Sequence, residues 1–158
     1  MQMEKPELAT EISVLLSQQD QSVLATMNET GPCQHLMAYA FSEDLFTIYL
    51  ATYMDTRKFR NMLSNPNVSL MWDNRIGSIK DHVDGYSLTA TGIAELLEGQ
   101  PREIASEALL SKNSTLGNLL SNANCQLFSV SLNEYTWTRG YDNVFKYCAN
   151  EAISTDVR

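Results

Sequence analysis

The sequence has too little positive charge for a nucleic-acid binder and too few cysteines for a disulfide framework. Eleven lysines and arginines stand against nineteen aspartates and glutamates, a formal net charge of −8. Phosphate backbones select broad basic faces. Nucleic acid is therefore not an expected partner, and any anion must bind at a local, built pocket. The cysteines, Cys33, Cys125 and Cys148, are odd in number, far apart and without a CxxC pair. They are expected to be reduced thiols of a cytoplasmic protein. No segment approaches the roughly 20 apolar residues that span a bilayer. The amino-terminal MQMEKPELATE has no apolar run of the signal-peptide kind. Repeats, low-complexity tracts and linkers are missing too. The expectation is a cytoplasmic protein with no membrane partner, folded as one domain over residues 1–158. Its content of 44% hydrophobic and 19% charged residues is enough to bury a core.

What is present divides into short periodic stretches. Leu8, Ile12, Leu15 and Leu16 fall on one helical stripe between Pro6 and Gln18, and Pro6 suits a first helical turn. Alternation then predicts strands at Ser22 to Met27, Gln34 to Phe41 and Leu45 to Ala51. Their short, breaker-rich links, Asn28 to Pro32 and Ser42 to Asp44, imply an antiparallel meander. After Thr56 the period changes, placing Phe59, Met62 and Leu63 inward on a short helix that Asn65-Pro66 ends. Further strands are expected at Val68 to Trp72 and Tyr86 to Leu97, separated by a polar loop from Asp73 to Gly85. Gly92 marks a bend or bulge within the second of these. Pro101 to Leu110 reads as a helix with Ile104, Ala105, Ala108 and Leu109 inward, and Asn113 to Asn124 as a lid or a short helix. Gln126 to Leu132 and Tyr135 to Tyr147 complete the strands. The fold class is α+β, mainly β: a small antiparallel barrel of six or seven strands with a few flanking helices.

One stretch runs against the acidic balance. In YLATYMDTRKFRNML, residues Tyr49 to Leu63, a strand ends and a helix begins, and Arg57, Lys58 and Arg60 follow Thr52 and Thr56. A helix start carries unpaired amides and the positive end of the dipole, so it favours an anion and phosphate especially. Arginine binds phosphate bidentately, lysine adds a compact charge, and the threonines offer hydroxyl donors. The plainer reading of the same string is a helix capped by Asp55 or Thr56, with its cations on a solvated face.

The order of these segments resembles the pyridoxamine 5′-phosphate oxidase-like family of FMN-binding split barrels. The segments that carry it are SVLATMNETGPCQHLMAYAF, LFTIYLATYMDTRKFRNMLSNPNVSLMW and YSLTATGIAEL. The resemblance implies a split barrel with FMN as cofactor. Thr52, Thr56, Arg57 and Lys58 would hold the phosphate, with Ala51 beside them at the strand end. The strand His35, Leu36, Met37, Ala38 and Tyr39 would run under the flavin ring, largely through backbone, and Ser87 would contribute from the strand after the polar loop. The family pairs as two-fold homodimers, and in that arrangement Trp137 and Arg139 would reach the partner's flavin. The chain ends in YCANEAISTDVR, without the arginine-rich motif of the true oxidases. The implied activity is therefore FMN-dependent oxidoreduction of some other small molecule, with a small-molecule substrate or electron donor. The alternative is a non-catalytic module that binds a flavin, haem or a deazaflavin or senses redox state.

Other constellations are less specific. Cys33 and His35 share a strand face, but a nucleophile also needs an orienting group and an oxyanion hole. His35 and His82 lack metal-ligand spacing. The 73–85 loop reads as a solvated loop or as a substrate-facing flap. Leu36, Met37, Phe41, Phe128 and Val130 exceed what a small barrel interior obviously consumes, which motivates the homodimer independently.

Overall fold

The computed structural model describes residues 4–148; the carboxy-terminal motif comparison falls on residues outside that range. The elements are α1 (Lys5–Gln18), β1 (Gln21–Asn28), β2 (Gly31–Phe41), β3 (Thr47–Tyr53), α2 (Arg57–Ser64), β4 (Asn67–Asp73), α3 (Asp81–Asp84), β5 (Tyr86–Leu96), α4 (Gly99–Lys112), α5 (Gly117–Leu120), β6 (Cys125–Arg139) and β7 (Asn143–Cys148). The strands run in the order β3-β2-β1-β4-β5-β6-β7, and β3 also pairs with β6. That second pairing closes six antiparallel strands into a barrel and leaves β7 outside the closure. Closure pairs most of the edge an open sheet would offer for aggregation, leaving β7 and part of β2.

Alternation places the interior. On β1, Ser22, Leu24 and Thr26 are buried while their neighbours are more exposed. Trp72, Tyr39, Tyr135 and Phe128 are the largest fully buried side chains, and Tyr39 meets Trp72 edge-on at 5.5 Å. The stripe Leu8, Ile12, Leu15 and Leu16 is wholly buried and packs α1 into the same core. Each such side chain contributes about 1.5–3 kcal/mol of transfer free energy. The end of α1 is tied down by Tyr39, whose hydroxyl lies 2.8 Å from the Leu16 carbonyl and 2.9 Å from that of Gln19. Lys112 Nζ, on α4, donates to the same Gln19 carbonyl at 2.6 Å. A second, smaller cluster packs Ala105 and Leu109 of α4 against Ala40, Ala51 and Leu127.

The bulge falls where the sequence places it. The β5–β6 register shifts between Thr91 and Gly92, passing over Asn133. A Cβ on Gly92 would lie 2.6 Å from the Ser131 carbonyl oxygen, so only glycine permits this approach. Several boundaries differ from expectation for local reasons. β3 starts at Thr47 because Leu45 turns through φ 70°, with the Asp44 carboxylate accepting from the Phe46 amide. The expected strand 126–132 and the start of 135–147 are one fifteen-residue strand, β6, and the turn comes at Gly140 with φ 60°. Ile104 is 51% exposed rather than inward, and the 113–124 stretch forms a 3₁₀ turn and α5. Among the described residues no helix is long and apolar enough to cross a membrane.

Candidate functional site

The barrel is split between β2 and β3. β2 pairs with β1 from Gly31 to Ala38, but with β3 only from Tyr39 to Phe41. β3 stays paired to β6 as far as Tyr53. The two strands therefore part below Tyr39 and Leu50. Among the described residues, no strand pairs with that edge of β2 at His35, Leu36, Met37 and Ala38. An unpaired extended edge presents amides and carbonyls that seek partners. Across the split stand Ala51 and Thr52, the latter only 4% exposed.

Three residues separate the end of β3 from the start of the helix α2. Thr56 is its N-cap: the hydroxyl oxygen accepts from the Phe59 amide at 3.3 Å and the hydroxyl donates to the Tyr53 carbonyl at 2.8 Å. Thr52 Oγ1 lies 2.9 Å from Thr56 Oγ1. Since the Thr56 proton is committed to Tyr53, Thr52 is the donor of that pair. Both hydroxyls that the sequence offers to a phosphate are thus engaged with each other and the cap. Asp55 is exposed and does not cap; its carbonyl accepts from the Arg60 guanidinium at 2.9 Å. What stays open is the charge. Among the described residues the ion pairs are Arg75–Asp73 and Lys146–Glu134, and neither Arg57 nor Lys58 has one. The amides of Arg57 and Lys58 likewise have no backbone acceptor. Two unpaired cations and two open helix amides make a donor set that fits a phosphate group.

A buried polar chain runs beneath this helix. Asn61 of α2, 6% exposed, donates through Nδ2 to Thr26 Oγ1 at 2.9 Å, and Thr26 Oγ1 lies 3.0 Å from His35 Nε2. His35 sits opposite Leu24 on the inward side of β2. Its pKa lies below the ordinary 6.5, first because burial disfavours the charged ring and then because Lys58 and Arg57 repel it. A neutral ring accepts the Thr26 hydroxyl proton at Nε2, while Thr26 accepts from Asn61. Thr26 and Asn61 are absent from the sequence-based site. Of the residues the sequence places inward on α2, Met62 is buried, but Leu63 is 53% exposed and Asn61 takes an inward place.

The other expected residues divide between two faces. Met37 and Tyr39 are buried inside, and the Tyr39 side chain belongs to the α1 anchor rather than to the split. Leu36 is 64% exposed on the outer wall, in a row that continues through Val23, Met71 and Thr89. Ser87 lies two residues from Thr89 on the same outer face. It lines a surface groove of about 360 Å³ with Arg75, Asp81, His82 and Tyr141. Trp137 is 2% exposed and stacks on Tyr86 with centroids 4.5 Å apart, so its indole belongs to the core of this chain. Arg139 is exposed at the rim, paired in register with Tyr86. Along β6, Thr52 pairs with Gln126 and Ser87's row with Thr138. Twelve residues of strand separate those positions, roughly 40 Å of contour. Of the apolar residues that motivated association, Met37, Phe128 and Val130 are consumed by the interior, and Leu36 is the exposed one. Cys33 is bonded by Asn28 Nδ2 rather than by His35, and no group of three His, Cys, Asp or Glu among the described residues could hold a metal ion.

Comparison with protein families matches residues 8–115 to the family described as pyridoxamine 5′-phosphate oxidase. Comparison with curated proteins gives no match. Among solved structures the chain is similar to a haem-binding protein from Mycobacterium smegmatis, at 18% identity and TM-score 0.78, over 89% of this chain and 57% of that one. It is similar to the haem storage protein HutZ from Vibrio cholerae, at 18% identity and TM-score 0.70, over 84% and 92% of the two chains. A FAD-binding protein from Mesorhizobium loti aligns at 19% identity and TM-score 0.64, over 82% and 92%. At these identities the likeness establishes the fold, and the chain spans little more than half the length of the mycobacterial relative.

Proposed function

Because the chain belongs to the pyridoxamine 5′-phosphate oxidase family, we propose that it binds FMN in the split between β2 and β3 and serves as a flavin-dependent oxidoreductase for a small molecule. The observation that carries this reading is the start of α2, where Arg57 and Lys58 have no ion pair and their amides no acceptor. These groups would hold the phosphate. The open edge of β2 from His35 to Ala38 would supply amides and carbonyls to the ring. Bound there, FMN would supply a two-electron centre able to exchange hydride with a donor or substrate. The chain's own contribution would be to bind and orient the cofactor.

The same reading includes a two-fold homodimer. Ser87 and Arg139 lie far along β6 from Thr52, so a site that uses both ends draws them from two copies. The exposed apolar residues Met27, Leu36 and Ile93 on the outer wall supply surface for such a contact. The haem-binding neighbours support a second reading, a haem module without turnover. The absorption spectrum of the purified protein separates the two, because oxidised flavin and haem absorb at different wavelengths. The test of the phosphate site is a fluorescence titration with FMN and riboflavin. Charge-assisted hydrogen bonds contribute about 1.5–3 kcal/mol each, so FMN should bind at least about tenfold more tightly. Equal affinity for the two flavins would remove the phosphate from α2.

A further inference from the structure

The outer wall of β1, β4 and β5 carries an apolar feature at each end. Where β1 turns into β2 the wall sinks into a depression of about 350 Å³, lined by Ala25, Met27, Pro32, Gly92 and Ile93 among others. At the opposite end stands the 73–85 loop, whose Arg75 and His82 share a groove with the wall residues Met71, Asp73 and Ser87. This loop points Ile76 and Ile79 into water at 87% and 89% exposure, the highest of any large apolar side chains among the described residues. It is nevertheless held in shape. Asp81 Oδ2 accepts from the amides of Ile76, Gly77 and Ser78 at 3.2, 2.9 and 2.9 Å, and the Gly140 amide donates to the Gly85 carbonyl at 3.2 Å. Exposed apolar surface fixed in this way marks a contact. Resting on the homodimer reading, we propose that each copy seats Ile76 and Ile79 in the partner's depression and so carries its groove to the partner's flavin split.

The occupant is a second copy because the two features share one face at opposite ends. Walls that meet face to face in a symmetric pair are related by a two-fold axis lying in the contact plane. An axis along the strands sets loop against loop and leaves both depressions open to water. An axis across the strands sets each loop over the partner's depression, so one contact buries both apolar features of both copies. The wall between them permits a close approach, because Ala25, Ser69 and Thr91 form a row of small side chains across it. The groove travels with the loop. Ser87 lines that groove and is drawn to the partner's site in the dimer reading. Arg75, His82 and Tyr141 line it as well, so they arrive there with Ser87.

The test joins the two features covalently. Ile79→Cys and Ile93→Cys are introduced together and treated with a short bis-maleimide, and the linked peptides are identified by mass spectrometry to separate them from products of the three native cysteines. Within one chain the linker cannot reach, because Ile93 pairs with Asn67 and the whole of β4, roughly 20 Å, lies between there and the start of the loop. A 79–93 link therefore joins two copies. The double variant should give a covalent dimer through that link, with no 79–79 pair. A 79–79 pair would place loop on loop and overturn the seating. A second measurement uses Ile76→Ser with Ile79→Ser, which alters only side chains already in water. Sedimentation should show its dimer at least about tenfold weaker than the wild type. If the wild type is a dimer, the serine variant is equally tight and no 79–93 link forms, the seating is wrong and the homodimer stands. If the wild type sediments as a monomer with and without FMN, both readings are overturned.

Discussion

Replacing Arg57 and Lys58 together by alanine should move stability and binding in opposite directions. Both cations sit in the first turn of α2, which contains no acidic residue. There they oppose the helix dipole, whose positive end lies at that terminus. They also repel a proton from His35. Each misplaced charge is unfavourable by about 0.3–1 kcal/mol at an exposed site. Removing both should therefore stabilise the ligand-free protein by about 1 kcal/mol, a rise of roughly 3 °C in Tm for a chain of this length. The same change removes two charge-assisted partners of the phosphate, each worth about 1.5–3 kcal/mol, so FMN affinity should fall at least about a hundredfold. Riboflavin affinity should stay within a few-fold. Thermal unfolding of the flavin-free protein and a flavin fluorescence titration read the two effects separately. A double variant that loses stability and keeps a full equivalent of FMN would show that the cations serve the fold and that the phosphate lies elsewhere.

Three further outcomes follow from other parts of the structure. Thr56→Ala removes the α2 cap and the partner of Thr52 and should cost about 1 kcal/mol in urea denaturation, while Thr56→Ser should restore most of it; equal losses in the two variants would refute the capping role. Burial raises the pKa of Tyr39 and of Tyr135, whose hydroxyl donates to the Leu45 carbonyl, so the unfolded chain ionises first, near the ordinary 10.0. Stability should hold below that value and fall as pH rises through it, offset in part by Lys112, whose pKa burial lowers; Tyr39→Phe should flatten the fall measured by denaturant titration, and an unchanged slope would contradict the burial argument. Sedimentation at low concentration should show a dimer that flavin tightens, and a monomer retaining stoichiometric FMN would end the shared-site reading.

The fold was legible wherever one periodicity acted alone. The α1 stripe and the inward alternation of β1 follow from spacing, because each has a single face to bury, and the bulge follows from a glycine inside a strand pattern. The start of β3 was not legible, since nothing in Asp44-Leu45-Phe46 announces that Leu45 takes a left-handed φ. On α2 the apolar pattern favoured Leu63. Asn61 displaces it because a buried donor meets Thr26, a partner thirty-five residues away that no local pattern reveals. The cluster of cations at the start of α2 was legible in the sequence, and the engagement of its hydroxyls was not. Spacing brings Thr52 and Thr56 together, but only coordinates show that they bond each other. Trp137 looked available because sequence cannot say which strand aromatics the core consumes.

A solvated helix face explains Arg60, which folds back on the Asp55 carbonyl of its own turn. It does not explain the neighbouring features. Cations occupy the wrong end of a helix dipole, a buried asparagine is chosen over an available leucine, and the β2 edge goes unpaired for four residues. Each is locally unfavourable, and a sequence under selection for stability alone has a simple remedy for each: an acidic first turn, an inward Leu, a longer β2–β3 ladder. Independent defects would scatter over the molecule. These three meet at the split beneath the start of α2, where one anionic ligand with a hydrogen-bonding ring would satisfy the cations and the strand edge together. We read that convergence as a site at which stability has been yielded to binding.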